Sequence, residues 1–150
     1  TVDLYSVAQE VTASLEHFAD EKNVTLRTEG AHVRLPGVPE LLRGIVYNLT
    51  DNAIKYNRPG GTVTVSVTRQ GEQAILTVRD TGIGIPAEDK DRIFERFYRV
   101  DKSRSKEVGG TGLGLSIVKH AALLHKAAIS LTSQPGAGTC IQVAFPMENQ

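Results

Sequence analysis

Three stretches of the chain combine residue types and spacings capable of chemistry. Asn48, Asn52 and Lys55 stand at i, i+4 and i+7, which places them on one face of a helix. A neutral amide oxygen can ligate a hard cation such as magnesium, and a lysine beside it can neutralise phosphate. The plainer alternative is a solvated helix face. Asp80 is the second candidate. It continues the phase of Ala74, Leu76 and Val78, so it falls on the apolar face of a strand, where a carboxylate needs a hydrogen-bond partner. A ligand amino group could supply one, and Gly82 and Gly84 in Asp80-Thr81-Gly82-Ile83-Gly84-Ile85 would let backbone close on that ligand. Asp and Gly also end ordinary strands, so a plain turn is the alternative. The third stretch is Gly109-Gly110-Thr111-Gly112-Leu113-Gly114-Leu115-Ser116, directly before a helical pattern. Glycines entering a helix present unpaired N–H groups and the positive end of the dipole, which suits phosphate. Leu115 stands where a Walker A loop requires lysine. The charged Lys102-Ser103-Arg104-Ser105-Lys106 precedes the glycines where a dinucleotide fingerprint requires a strand. A glycine hinge without ligand is the alternative here.

The elements that must position these residues are legible from periodicity. Val7, Val11, Leu15 and Phe18 predict an amphipathic helix over 5–21. Short strands are expected at 24–28 and 32–35, around Glu29-Gly30-Ala31. Pro39 and Glu40 open a second helix reaching about Tyr56, with Leu42, Ile45, Leu49, Ala53 and Tyr56 as its buried stripe. Asn57-Arg58-Pro59-Gly60-Gly61 ends it as a turn. Strict alternation over 62–69 and 73–80 predicts a hairpin through Gln70-Gly71-Glu72. A short helix is expected over 89–96, a long polar loop over 99–111 and a further helix over 112–126. A closing hairpin of 127–133 and 139–146 follows, turning at Gln134-Pro135-Gly136-Ala137-Gly138. Strands in hairpin-like pairs favour an α+β two-layer sandwich: a mixed, largely antiparallel sheet with helices on one face.

Composition bounds the function classes. With 150 residues the chain has the size of one domain. Its single cysteine, Cys140, excludes an internal disulfide, and a reducing compartment is expected. Seventeen basic residues balance seventeen acidic ones, so there is no overall basic field for nucleic acid or an anionic membrane. No apolar run is long enough to span a bilayer, and no leader peptide is expected. Eight of the fourteen glycines lie between residues 82 and 138, where backbone must turn sharply or approach something closely.

Taken together and in this order, the three stretches resemble the catalytic ATP-binding domain of sensor histidine kinases, within the ATPase superfamily shared with DNA gyrase, a mismatch-repair protein and a heat-shock chaperone. NLTDNAIKYN (48–57) is similar to the N box, DTGIGI (80–85) to the first glycine box, RIFERFYRVDKSRS (92–105) to the F box and GGTGLGLSIVKH (109–120) to the second glycine box. The resemblance covers roughly 35–146 and implies a Bergerat-type ATP-binding fold using ATP and Mg2+. By that resemblance Asn52 matches the magnesium-ligating asparagine, Asn48 lies one turn earlier on the nucleotide side, and Lys55 and Tyr56 lie near the phosphates and ribose. Asp80 matches the aspartate that accepts a hydrogen bond from the adenine amino group, and Thr139 a polar residue beside it. By the same resemblance, Gly82, Gly84 and Ile85 would line that region. Phe94 and Phe97 match the aromatics anchoring an ATP lid, from which Arg99 and Lys102 would reach phosphate. Gly110, Thr111, Gly112, Leu113, Gly114 and Leu115 match backbone around the phosphates.

The resemblance implies an ATP-dependent protein histidine kinase of two-component signalling, the cytoplasmic part of a membrane-anchored bacterial sensor. The implied partners are its own dimerisation and phosphoacceptor domain, a response regulator and, in the full-length protein, a second copy; nucleic acid is not one. Hydrolytic relatives carry a water-activating glutamate where Asn48 stands, and an amide cannot serve as general base. Two departures stand out. Of His17, His32, His120 and His125, only His17 has acids nearby, and no proline follows it in register, so the phosphoacceptor histidine is expected on a domain outside this chain. Val38 stands near where the family has an aspartate, which would loosen a helix cap. Two other readings compete. An aspartic protease would use Asp80-Thr81-Gly82 but needs a second, facing aspartate and leaves the other stretches unexplained. A non-catalytic nucleotide-binding module would use the same pocket without transfer.

Overall fold

The computed structural model describes residues 1–82, 113–134 and 138–147. Its elements in chain order are β1 (Val2–Asp3), α1 (Leu4–Glu21), β2 (Thr25–Gly30), β3 (Arg34–Leu35), α2 (Pro39–Lys55), β4 (Thr62–Gln70), β5 (Gln73–Asp80), α3 (Leu113–Leu124), β6 (Ala128–Gln134) and β7 (Gly138–Pro146). The five-stranded sheet runs in the order β2-β4-β5-β7-β6, with β2 parallel to β4 and every other neighbour antiparallel. The expected helix over 89–96, the loop over 99–111 and the turn at 135–137 lie outside the described residues.

Alternation builds the core. Cross-strand register places Val65, Val78 and Ile141 in one row and Val67, Leu76 and Val143 in the next, all buried on one face. Burying side chains of this size stabilises by roughly 1.5–3 kcal/mol each. The helices cover that face. α1 packs on α2 and reaches β2 and β4, α2 packs on α3 and reaches β4 and β5, and α3 reaches β6. The row beyond the apolar ones is Val63, Asp80 and Thr139, so Asp80 stands on the core face at the rim of the core.

One expectation needs correction. β2 and β3 are not a hairpin. Gly30 has φ +126°, and a Cβ there would lie 2.1 Å from the carbonyl oxygen of Val67, so β2 lies hard against β4. A parallel pair needs a crossover, and α2 lies within it. β3 instead pairs with β1, Val2 opposite Leu35 and Asp3 opposite Arg34. Asp3 also caps α1, with Oδ1 accepting from the N–H groups of Tyr5 (3.1 Å) and Ser6 (3.2 Å), while Oδ2 meets Nδ1 of His32 at 2.6 Å.

α2 begins as Pro39 predicts, and Val38 supplies no side-chain cap. The Val38 N–H instead donates to Nε2 of His125 at 3.1 Å, and Nδ1 of the same ring pairs with the carbonyl of Ala121 at 2.9 Å. The start of α2 is thereby tied to the turn that follows α3. That turn passes through Lys126 at φ +56°, which stops α3 short of the 112–126 expected.

Candidate functional site

The C-terminal turn of α2 lies against the end of β5. A Cβ on Gly82 would stand 2.5 Å from the Tyr56 carbonyl oxygen and 3.2 Å from the Asn57 Cα, so only glycine allows this approach. Along α2, Asn48 gives its Nδ2 to the carbonyl of Gly44 (2.7 Å), and Asn52 gives its Nδ2 to the carbonyl of Asn48 (2.8 Å). Each amide is thus tied one turn back along its own helix, which leaves Oδ1 as the acceptor. Lys55 is held by Asp51, Nζ to Oδ2 at 2.9 Å, both side chains largely buried. Asp51 before Lys55 at i, i+4 is the favourable order for a helical ion pair.

Asp80 is half-buried, and its Oδ1 accepts from two backbone N–H groups, Gly82 at 2.8 Å and Thr139 at 3.2 Å. Among the described residues its Oδ2 has no hydrogen-bond partner. Burial raises the carboxyl above its ordinary value of 3.8, and the two N–H bonds offset only part of that rise. The result is a fixed, desolvated acceptor with one oxygen committed and one available. That arrangement suits a neutral N–H donor such as an aromatic amine.

Past Asp80 the chain leaves the ladder, and a turn that sequence patterning treats only as a helix terminator catches it. Arg58 donates from Nε to the Thr81 carbonyl and from Nη2 to the Gly82 carbonyl, each at 2.9 Å. Asn57 is only 9% exposed. Its Nδ2 donates to the Thr62 carbonyl at 3.1 Å, and its Oδ1 accepts from the Arg58 N–H at 2.8 Å and the Thr81 hydroxyl at 3.3 Å. Asn57 and Arg58 are residues the sequence reading missed. Their only visible signal is a polar pair between a helix and Pro-Gly-Gly, which marks a turn and not its partner.

Of the candidates named from sequence, Asn48, Asn52, Lys55 and Tyr56 share the last turns of α2, and Asp80, Gly82 and Thr139 meet at the adjoining end of the sheet. Leu113, Gly114 and Leu115 open α3, which packs on α2. Gly84, Ile85, Phe97, Arg99, Lys102, Gly110, Thr111 and Gly112 lie outside the described residues, as does Phe94. No group of three or more His, Cys, Asp or Glu able to hold a metal occurs among the described residues. A cation here would rest on the Asn52 amide oxygen together with oxygens brought by a ligand, a donor set that fits hard, water-retaining magnesium.

Comparison with known proteins places the chain in a family and a fold. The family model described as histidine kinase-, DNA gyrase B- and HSP90-like ATPase matches residues 37–149. The sensor-like histidine kinase SenX3 of Mycolicibacterium smegmatis is 41% identical over 146 residues, 97% of this chain. The chain spans only 38% of that relative's length. Among solved structures, the mycobacterial sensor histidine kinase MprB superposes with a TM-score of 0.87 at 30% identity, covering 99% of both chains. Full-length ShkA in complex with AMPPNP superposes with a TM-score of 0.82 at 25% identity, over 99% of this chain and 31% of that one. At these TM-scores the shared frame is the fold, which among the described residues is a five-stranded mixed sheet packed against three helices. The chain belongs to the histidine kinase-, DNA gyrase B- and HSP90-like ATPase family and resembles, within it, the catalytic ATP-binding domains of sensor histidine kinases.

Proposed function

We propose that this chain is a single catalytic domain that binds Mg-ATP and presents its γ-phosphate to a histidine on a separate dimerisation domain, in two-component signalling. The observation that carries this reading is the Asp80 carboxylate, held by the Gly82 and Thr139 N–H groups with its second oxygen available on the core face. Asp80 accepts the adenine amino hydrogen. Gly82 lets the chain turn close against Tyr56 while its N–H holds the carboxylate. The Asn52 amide oxygen would hold magnesium, which would supply charge neutralisation at the phosphates. Lys55, kept in place by Asp51, adds positive charge on the same side.

Transfer breaks the bond between the γ-phosphorus and the bridging oxygen. ADP leaves with that oxygen, while a phosphorus–nitrogen bond forms to the unprotonated nitrogen of the acceptor imidazole, whose excess proton passes to water. Positioning and charge neutralisation are what the domain contributes. Asn48 cannot take a proton from water, so ATP is preserved for the acceptor. The AMPPNP complex named for ShkA supports a nucleotide here. In this reading the whole protein adds an acceptor domain, a membrane anchor and dimerisation and serves a response regulator; the relative named a sensor-like histidine kinase is long enough to hold such further domains, since this chain spans only 38% of it. The 150-residue chain alone is then a monomer. No helix among the described residues is long and apolar enough to cross a membrane.

The test is phosphotransfer in trans. The chain is incubated with γ-labelled ATP and a separately produced dimerisation domain carrying the acceptor histidine. Acid-labile label on that domain, absent when its histidine is replaced, is the expected result. Nucleotide binding without any transfer would make this a sensing module instead.

A further inference from the structure

The segment Asp80-Thr81-Gly82 carries the base-reading carboxylate, yet only Asp80 lies within the sheet ladder, paired with Val63 and Thr139. Thr81 and Gly82 are beyond it. Three groups hold them: Arg58 through both carbonyls, Asn57 through the Thr81 hydroxyl, and Thr62, whose N–H donates to that hydroxyl at 2.9 Å and whose carbonyl accepts from the Thr81 N–H at 3.2 Å. The two glycines beside this junction also have no room for side chains. A Cβ on Gly61 would lie 2.1 Å from Asn57 Oδ1 and 2.8 Å from Thr81 Oγ1, as one on Gly82 would meet Tyr56. Tyr56 in turn donates its N–H to the carbonyl of Asn52 at 3.0 Å. The end of α2 and the end of β5 are therefore joined by a continuous set of hydrogen bonds.

Resting on the nucleotide reading above, we infer that Arg58, seated by Asn57, is a positioning residue for base recognition. Its fork fixes the Thr81 and Gly82 peptides. The Gly82 N–H is one of the two donors that aim the Asp80 carboxylate, so Arg58 sets the direction of Asp80 beside the end of α2. The influence is geometric: Arg58 is not among the causes of the raised Asp80 pKa, which are burial and the two backbone N–H bonds. A planar two-pronged donor is needed because two successive carbonyls are gripped, which a lysine ammonium does less well.

The test is the affinity of the chain for ADP and for inosine diphosphate, which carries oxygen where ADP has the 6-amino group. The parent favours ADP. Arg58→Gln lowers ADP affinity by about tenfold and leaves inosine diphosphate nearly unchanged, so the ratio collapses. Arg58→Lys gives an intermediate ratio. The backbone amide signals of Gly82 and Thr139 shift in both variants. If Arg58→Gln fails to fold, Arg58→Lys carries the same comparison. A lower melting temperature with the ADP to inosine diphosphate ratio kept at the parent's value overturns the inference and makes Arg58 a turn staple only. A parent that does not distinguish the two nucleotides overturns base recognition by Asp80 itself, and this inference with it.

Discussion

A side-chain carbon on Gly138 would lie 2.2 Å from the carbonyl oxygen of Asp80, and Gly138 itself has φ +114°. Both facts demand glycine at the first position of β7, next to the Thr139 whose N–H aims the Asp80 carboxylate. Gly138→Ala combines left-handed backbone strain with a backbone clash and should cost at least ~2 kcal/mol of stability. Urea denaturation reads the cost directly. The variant should also bind ATP more weakly under conditions where it remains folded. Parent-like stability would mean β7 can shift away from β5 without penalty.

Asp80 gives a pH dependence whose sign can be worked out. Burial raises its folded-state pKa above the ordinary 3.8, so the folded chain holds this proton more tightly than the unfolded chain. The stability this contributes is complete below the unfolded value and is lost as pH rises through the folded one. Above the folded value the ligand-free domain carries an ionised, half-buried carboxylate at a cost. Asp80→Asn keeps an oxygen for the Gly82 and Thr139 N–H groups and removes that charge. Its melting temperature should equal or exceed the parent's at pH 7.5, with the gap closing towards pH 4. A clearly lower melting temperature at pH 7.5 would show that the charge stabilises the fold.

Asn52→Ala separates the two halves of the pocket. The amide oxygen of Asn52 is the proposed magnesium ligand, while the base is read some distance away by Asp80. The variant should lose the part of ATP affinity that depends on magnesium, about tenfold or ~1.4 kcal/mol. Its affinity in the presence of a chelator should match the parent's. Equal magnesium enhancement in both proteins would move the metal to other ligands.

Thr50 tests the packing of α2 without touching the site. It is fully buried, and its Oγ1 has no hydrogen-bond partner among the described residues. Thr50→Val has the same shape and removes a desolvated hydroxyl, so it should stabilise by ~1 kcal/mol. The denaturation midpoint should rise with an unchanged slope. A loss of stability would reveal a partner for the hydroxyl.

Much of the site was legible because it depends on local period. Alternation over 73–80 puts Asp80 in phase with Leu76 and Val78, and the register places it on the core face. The 3.6-residue repeat of α2 likewise gathers Asn48, Asn52 and Lys55. What stayed hidden is pairing between distant segments. Nothing local says that β2 adds parallel to β4, or that β3 turns away to β1. Arg58 reaches carbonyls of residues 23 and 24 positions later, and His125 accepts from Val38 across 87 positions. Both look like ordinary surface residues until the fold brings their acceptors and donors in. The Lys55 partner was closer to hand: Asp51 precedes it at i, i+4, a spacing that sequence alone displays.

The most direct measurement is a calorimetric titration of the parent and Asp80→Asn with a non-hydrolysable ATP analogue, each with and without magnesium. Parent binding that magnesium strengthens, and that falls by at least about tenfold in the folded Asn variant, is the expected result. Binding of equal strength in the two proteins would contradict adenine recognition by the Asp80 carboxylate.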